Sequence, residues 1–333
     1  MPEIRQNIIT REWVVIATER AKRPDDFKKG RIDTTPIPSH DPACPFCPGN
    51  EQQTPYESCT IRNKNGNWQV RVIPNKFPAL LREGVLKRKY EGSKRSMTGV
   101  GLHEVVIETP EHNLDIPLMP ENEVKEILIA YRSRYAEMLK DKRIEQIIIF
   151  RNHGSNAGTS IVHPHSQIIA TPIVPQQIRL RMQIAMQYHD DTGECIFCRM
   201  MKDELEQQER VIFETSHFVA LTPYAALTPF HTWIFPKRHS SSFSTTNDGE
   251  LEDLAYVMKL MLGKLYYGLA NPDYNFCIRS VPCSDDVSEY FHWYITIIPR
   301  LTKTAGFELG SGMFINSSIP EENAKFLREV QMR

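Results

Sequence analysis

The chain has 333 residues, 41% of them hydrophobic, and its 40 Lys and Arg against 41 Asp and Glu leave a net charge of −1, so no global basic field gathers nucleic acid or anionic lipid. No apolar run approaches the roughly 20 residues that a membrane-spanning helix needs, and Met1-Pro2-Glu3-Ile4-Arg5-Gln6-Asn7 lacks the basic, apolar, small-residue order of a secretory signal. The expectation is a cytoplasmic protein of about two domains, or one duplicated unit, at roughly 150 residues per domain; any phosphate partner must be held by a local site.

In chain order, Arg20-Ala21-Lys22-Arg23-Pro24 forms a compact cationic cluster able to neutralise phosphates. Cys44-Pro45-Phe46-Cys47 comes next, a C-x-x-C knuckle among Pro42, Pro48 and Gly49 and therefore in a turn. Seven cysteines, an odd number, do not suggest a disulfide framework, and the turn setting favours metal over a redox pair, which would open a helix. Val70 to Leu80 and His103 to Glu108 read as strands, separated by a charged, glycine-containing stretch over 82–99 that reads as a solvated loop. Behind Pro120, Val124, Ile127, Leu128, Tyr131, Tyr135 and Leu139 recur at helical spacing. Strands over Ile147–Phe150 and His163–Ile169 close this half.

The same order then recurs. A connecting helix around Ile178, Met182 and Met186 ends at Gly193, and a second knuckle, Cys195-Ile196-Phe197-Cys198, leads to the stretches Phe218–Leu227 and His231–Pro236, which parallel Val70–Leu80 and His103–Glu108. A helix follows Asp248 with Leu251, Leu254, Met258, Met261 and Leu265 on one face, and strands over Asn275–Ile278 and His292–Pro299 complete the repeat. Ser318-x-x-Glu321 reads as a capping box for a short last helix.

This internal parallel selects two Cys₂His₂ sets: Cys44, Cys47, His112 and His163, and Cys195, Cys198, His239 and His292. Two thiolates with two imidazoles suit zinc in a closed tetrahedral shell without an open position, so both zinc ions are expected to be structural. His40, His103, His153, His189, His217 and His231 have no counterpart of this kind and read as ordinary residues.

Chemistry is expected where the halves differ. In His163-Pro164-His165-Ser166-Gln167, alternate side chains share a face. With His163 on metal, His165 keeps a free imidazole able to attack phosphorus, and Gln167 offers amide hydrogens to phosphoryl oxygens. The second half has Tyr294 in place of His165, so one active site per chain is expected. Upstream, Asn152-His153-Gly154-Ser155-Asn156-Ala157-Gly158-Thr159-Ser160 combines glycines with small polar side chains, and its backbone N–H groups would cradle a diphosphate.

On these stretches, together with Asn75-Lys76-Phe77-Pro78-Ala79-Leu80 and Pro110-Glu111-His112, nearly the whole chain resembles the galactose-1-phosphate uridylyltransferase family, a branch of the histidine-triad superfamily. The resemblance implies ping-pong nucleotidyl transfer: His165 attacks the α-phosphorus of a UDP-sugar, expels sugar 1-phosphate and becomes a nucleotidyl-histidine that a second sugar 1-phosphate relieves. It further implies that Gln167, Ser160 and Asn152 meet phosphoryl oxygens, that Gly158 belongs to the substrate loop, that Asn75 and Phe77 lie near base and ribose, and that Arg20 and Arg23 meet phosphate. It implies homodimers with sugar contacts crossing between subunits. Glu308 in Gly306-Phe307-Glu308-Leu309 falls at a sugar-contacting position. The residues after it, Gly310-Ser311-Gly312-Met313-Phe314-Ile315-Asn316, instead resemble a subgroup that includes an ADP-glucose phosphorylase, which transfers the adenylyl group of ADP-glucose to phosphate.

The expected fold is α+β: two histidine-triad-like domains, 1–175 and 176–333, each with an antiparallel sheet, flanking helices and a zinc ion. The leading function is UMP exchange between UDP-glucose and galactose 1-phosphate. ADP-glucose phosphorylase and a non-catalytic zinc-knuckle binding module are its rivals.

Overall fold

The protein is described from a computed structural model that covers residues 1–17, 27, 37–285 and 288–332; Arg20 and Arg23 lie outside the described residues. Its strands in chain order are β1 Glu3–Gln6, β2 Trp13–Ile16, β3 Cys59–Arg62, β4 Trp68–Pro74, β5 Arg88–Glu91, β6 Lys94–Met97, β7 Leu102–Ile107, β8 Gln146–His153 and β9 His165–Thr171. They continue as β10 Val211–Glu214, β11 Phe218–Leu221, β12 Thr232–Pro236, β13 Tyr274–Arg279, β14 Tyr294–Pro299 and β15 Phe314–Asn316. The α-helices are α1 Glu121–Met138, α2 Gln176–Thr192, α3 Ile196–Gln207, α4 Asp248–Leu269, α5 Gly306–Ser311 and α6 Pro320–Glu329.

Ten strands form one sheet in the order β10-β11-β12-β14-β13-β8-β9-β7-β4-β3. Read outward from the β8–β13 junction, the two halves have the same connectivity, so the repeat seen in the sequence is a repeat of topology. The junction is antiparallel, with Asn275 opposite Asn152 and Cys277 opposite Phe150. A small sheet, β1-β2-β15, ties the chain's beginning to its end through the parallel pairing of β15 with β2.

One face of the large sheet is covered in both halves. Helix α1 starts behind Pro120 and buries Val124, Ile127, Leu128, Tyr131, Tyr135 and Met138. Helix α4 is held at its start by a capping box, in which Asn247 Oδ1 accepts from Glu250 N–H and Glu250 Oε2 accepts from Asn247 N–H, each at 2.9 Å. Both helices share a core with Val72, Val106, Ile149, Ile168, Ile234 and Ile295 of the sheet.

The other face is treated differently in the two halves. Over the second half, α2 and α3 pack Met182, Ala185, Ile196 and Phe197 onto Leu221, Trp233, Phe235 and Tyr294. Over the first half, that face carries a smaller cluster of Cys44, Phe46, Cys47, Trp68, Ile73, Val105 and Ile107.

Two local expectations change. The 82–99 stretch holds a hairpin, β5 paired with β6, whose residues are nearly all exposed; alternation without an apolar face gave no strand signal. The last helix exists, but Ser318 does not cap it: its Oγ donates to Asn316 Oδ1 and accepts from Asn323 Nδ2, while Glu321 accepts from Arg5 and Arg210, each at 2.8 Å. The second knuckle, unlike the first, opens a helix, α3, with Cys195 at its N-cap. Gly193 ends α2 in the left-handed conformation at φ 74°, as expected.

Under β9 lies a buried ionic network. Arg151 Nε donates to Glu108 at 2.9 Å and its Nη2 to Asp115 at 2.6 Å, and it also bonds the Tyr274 hydroxyl. Tyr131 Oη bridges Glu108 at 3.1 Å and Ser166 at 2.6 Å, which ties the network to the residue after His165. Removing one member of a buried ion pair leaves its partners charged and unsolvated. Arg151→Met is expected to destabilise the fold by about 3–5 kcal/mol, read as a lowered denaturation midpoint; an unchanged midpoint would show that the network contributes no net stability.

Candidate active site

Strand β9 lies between β7 and β8, with His165 opposite Ile107 and Gln167 opposite Val105. His165, Gln167 and, on β7, His103 therefore share the face that α1 and α4 leave uncovered. The His165 imidazole is 9% exposed. Its Nδ1–H donates to the His163 carbonyl at 2.9 Å, leaving the Nε2 lone pair unprotonated. Burial holds its pKa below the ordinary histidine value; the bond to the His163 carbonyl opposes this, and the Arg151 charge adds to the lowering. The Phe46 ring braces it edge-on at 5.5 Å.

Cys44, Cys47, His112 and His163 are all buried, with one donor atom each within 4.8 Å of the others. Cys47 Sγ stands 3.4 Å from His112 Nδ1 and 3.6 Å from His163 Nδ1, close to the roughly 3.5 Å edge of a tetrahedral zinc site with ordinary Zn–S and Zn–N bonds. His163 Nε2–H donates to the Thr109 carbonyl at 2.8 Å, which turns Nδ1 toward the thiols. Burial pushes the His163 pKa down to about 4, so the ring is neutral and able to ligate. The donor set fits zinc.

In the second half, Cys195, Cys198 and His239 converge in the same way, with Cys198 Sγ 3.3 Å from His239 Nδ1. The hydrogen bond from Cys198 draws the Cys195 thiol down to about 5, and the same pairing pushes Cys198 up. His292 does not join this group. It is buried with its ring centroid 5.4 Å from that of His239, but its Nδ1–H donates to the Trp293 carbonyl at 3.0 Å and its Nε2 has no hydrogen-bond partner. Three of the four expected donors converge, and the fourth offers an orphaned imidazole nitrogen beside them. The Pro236 carbonyl, three residues ahead of His239 as Thr109 is ahead of His112, faces the His292 ring.

The glycine loop does not act as a backbone cradle. Asn156 N–H donates to Asp273 at 2.7 Å, and the N–H groups of Ala157, Gly158 and Thr159 bond the carbonyls of Gly154 and Ser155. Gly154, at φ 82°, is required by contact: a Cβ there would come within 2.2 Å of the Asp273 carboxylate. What the loop offers is side chains. Asn152 Oδ1 accepts from Asn275 Nδ2 at 2.7 Å, and Asn275 accepts in turn from Arg300 Nε, so the second half fixes which way the Asn152 amide points. Ser160 and Gly158 are exposed at the end of the loop.

Gln167 Oε1 accepts from His103 Nε2–H at 2.8 Å, and Asn75 Nδ2 stands 3.2 Å from the same nitrogen. Asn75 Oδ1 accepts from Phe77 N–H at 2.9 Å, and the Phe77 ring is 84% exposed, a free aromatic surface beside the site. The structure thus pairs Gln167 with His103, brings Asn75 and Phe77 beside that pair, and gathers them with His165 on one face. Glu308 is elsewhere, on α5 beside β15 of the small sheet, where its carboxylate accepts from Ala305 N–H at 3.0 Å.

Sequence reasoning missed His103, Asn275, Asp273 and the bracing role of Phe46. His103 had a signal: it precedes Val105, the partner of Gln167, by two residues, just as His231 precedes Trp233, the partner of Thr296. The two histidines are counterparts, against the expectation that neither had one. Tyr294 confirms the contrast between the halves. It is 1% exposed, stacked on Phe235 at 5.0 Å and packed against Trp233 and Phe197, with no opening to a substrate.

Comparison with known proteins accounts for the whole length. The galactose-1-phosphate uridyl transferase N-terminal domain profile matches residues 1–175, and the C-terminal domain profile matches residues 181–330. ADP-glucose phosphorylase of Arabidopsis thaliana is 39% identical over 99% of this chain and 93% of its own. Galactose-1-phosphate uridylyltransferase of Thermotoga maritima is 29% identical over 100% of this chain and 99% of its own. The crystal structure of an ADP-glucose phosphorylase from Arabidopsis thaliana with bound ADP-glucose superposes with a TM-score of 0.84 at 36% identity, covering 100% of both chains. A uridylyltransferase structure does so with a TM-score of 0.75 at 27% identity, covering 98% of this chain and 97% of that one. A shared mixed α+β fold and two matched domain profiles lead to one conclusion: the chain belongs to the galactose-1-phosphate uridylyltransferase family and is a nucleotidyltransferase.

Proposed function

We propose that the protein moves the nucleotidyl group of a nucleoside diphosphate hexose to a phosphate acceptor through a covalent bond to His165. The observation that carries this is the His165 ring: buried, held through Nδ1 by the His163 carbonyl, and bare at Nε2. Nε2 attacks the α-phosphorus, the bond from that phosphorus to the bridging oxygen breaks, and sugar 1-phosphate leaves with the bond's electrons. The imidazole becomes cationic as it bonds phosphorus, and the His163 carbonyl stabilises that charge through Nδ1–H. An acceptor phosphate oxygen then displaces the histidine. Gln167, Asn152 and Ser160 donate to the phosphoryl oxygens as charge shifts among them, Gly158 ends their loop, Asn75 and Phe77 bind base and ribose, and Arg20 and Arg23 neutralise phosphate.

Two nucleotide sugars fit this chemistry. UDP-glucose, with galactose 1-phosphate as acceptor, is the reading supported by the domain profiles and the uridylyltransferase relatives. ADP-glucose, with phosphate as acceptor, is favoured by the 39% identity to the Arabidopsis phosphorylase against 29% for the Thermotoga enzyme. We assign the chain two domains, 1–175 and 176–333, both of histidine-triad type. We also infer a homodimer, because Glu308 lies on α5 beside the small sheet and reaches a sugar most simply across subunits, and a cytoplasmic setting, because all seven cysteines are free of disulfides.

Zinc would be held by Cys44, Cys47, His112 and His163, and by Cys195, Cys198, His239 and His292, the last with its ring turned so that Nδ1 faces the thiols and Nε2–H the Pro236 carbonyl. It would supply only rigidity, since four protein ligands leave no open position. Elemental analysis is expected to give about two zinc ions per chain; a ratio near one would restrict metal to the first set, and a ratio near zero in folded, unchelated protein would refute both.

Acid quenching after mixing with UDP-glucose or ADP-glucose is expected to trap UMP or AMP on His165, and intact mass identifies which. His165→Gly is expected to abolish the adduct, to lower turnover by more than about 10³-fold and to retain zinc. Unchanged turnover in that variant would overturn the nucleophile assignment, and labelling by neither nucleotide sugar would favour a binding module.

A further inference from the structure

Gln167 can help the reaction only if its NH₂ group, not its carbonyl, faces the phosphoryl oxygens. An unrestrained amide presents either end, and a carbonyl oxygen aimed at a phosphate repels it. The structure contains a device that removes the choice. Ala79 N–H donates to His103 Nδ1 at 3.0 Å. A backbone N–H cannot accept, so Nδ1 must carry the lone pair and the ring proton must sit on Nε2. That proton is directed at Gln167 Oε1, 2.8 Å away. The Gln167 carbonyl is thereby held toward β7, and its NH₂, which has no protein partner among the described residues, is turned outward.

The second half contains the same relay in closed form. Leu227 N–H donates to His231 Nδ1 at 3.3 Å, and His231 Nε2 lies 2.9 Å from Thr296 Oγ1, both residues fully buried. There, beneath α2 and α3 and beside Tyr294, the acceptor is a short hydroxyl that reaches nothing else. In the first half the same register position carries an amide, on an uncovered face, two residues from His165. The histidine is common to both halves; the group it steers toward a ligand is found only in the half with the nucleophile.

We propose that His103 is a positioning residue for nucleotidyl transfer, acting through Gln167 by fixing the amide so that its NH₂ meets the phosphoryl group on its way to and from His165. This rests on the nucleotidyl-histidine reading and goes beyond it, since His103 touches no reacting atom.

The test is a double-mutant cycle on single-turnover labelling of His165 by the nucleotide sugar that labels the unaltered protein. His103→Leu is expected to slow labelling by about ten- to a hundredfold with the concentration for half-maximal rate little changed. Gln167→Leu is expected to slow it at least as much, and the double variant is expected to be no slower than Gln167→Leu alone. His103→Gln, which keeps an N–H donor for Gln167, is expected to recover most of the rate. Labelling at the unaltered rate in His103→Leu would overturn the proposal. So would multiplicative losses in the double variant, which would mark a structural role independent of Gln167. If His103→Leu does not fold, a tenfold loss in soluble His103→Gln would overturn it equally. Absence of labelling in the unaltered protein is a separate outcome, which removes the underlying reaction rather than the relay.

Discussion

The site depends on His163 serving three partners at once. Its ring points Nδ1 at the thiols of the first knuckle and Nε2–H at Thr109, while its backbone carbonyl takes the Nδ1–H of His165. The ring that completes the metal set and the carbonyl that fixes the nucleophile's tautomer thus belong to one residue. The same knuckle sends Phe46 against the His165 ring. A metal ion held by this set would do more than staple a loop: it would stiffen the peptide that decides which nitrogen of His165 is free.

A ten-stranded sheet built from two equivalent halves leaves one face open over the first half and closed over the second. Both halves use α1 or α4 to cover one face, because that face carries the alternating Val, Ile and Leu of every central strand. The opposite face is closed over the second half by α2 and α3, and Tyr294 fills it with an aromatic cluster. Over the first half no helix among the described residues closes that face, and the smaller cluster around Phe46 and Ile107 leaves the polar side chains of His165 and Gln167 beside it. The halves remain joined at β8 and β13, and there Asn275 and Asp273 of the second half hold Asn152 and Asn156 of the first. The second half therefore shapes the site without contributing a nucleophile.

Preorganisation is the common feature of these contacts. His165 is held by a carbonyl, Asn152 by Asn275 and Gln167 by His103, so each polar group that faces the uncovered surface has its other end committed to the protein. Donors fixed in this way need not reorganise when charge moves among phosphoryl oxygens. The buried Arg151 network below β9 fixes the strand itself from the opposite side.

Much of this was legible in the chain. The duplicated order of knuckles, strands and helices, the spacing in His163-Pro164-His165-Ser166-Gln167 and the replacement of His165 by Tyr294 are local patterns, set by period-two and period-3.6 alternation and by ligand chemistry. They picked out His165 as the candidate nucleophile, the Cys₂His₂ donor set that converges in the first half, and the contrast between the halves. What only the tertiary structure decided was how distant hydrogen-bonding groups meet. The Asn156 N–H turned inward because Asp273, more than a hundred residues away, accepts from it, and the N–H groups that follow close on the loop's own carbonyls. His292 stayed outside its expected set because ring orientation is dictated by neighbouring carbonyls, which spacing does not encode. The pairing of His103 with Gln167 and of His231 with Thr296 emerged only once strand register placed each pair side by side.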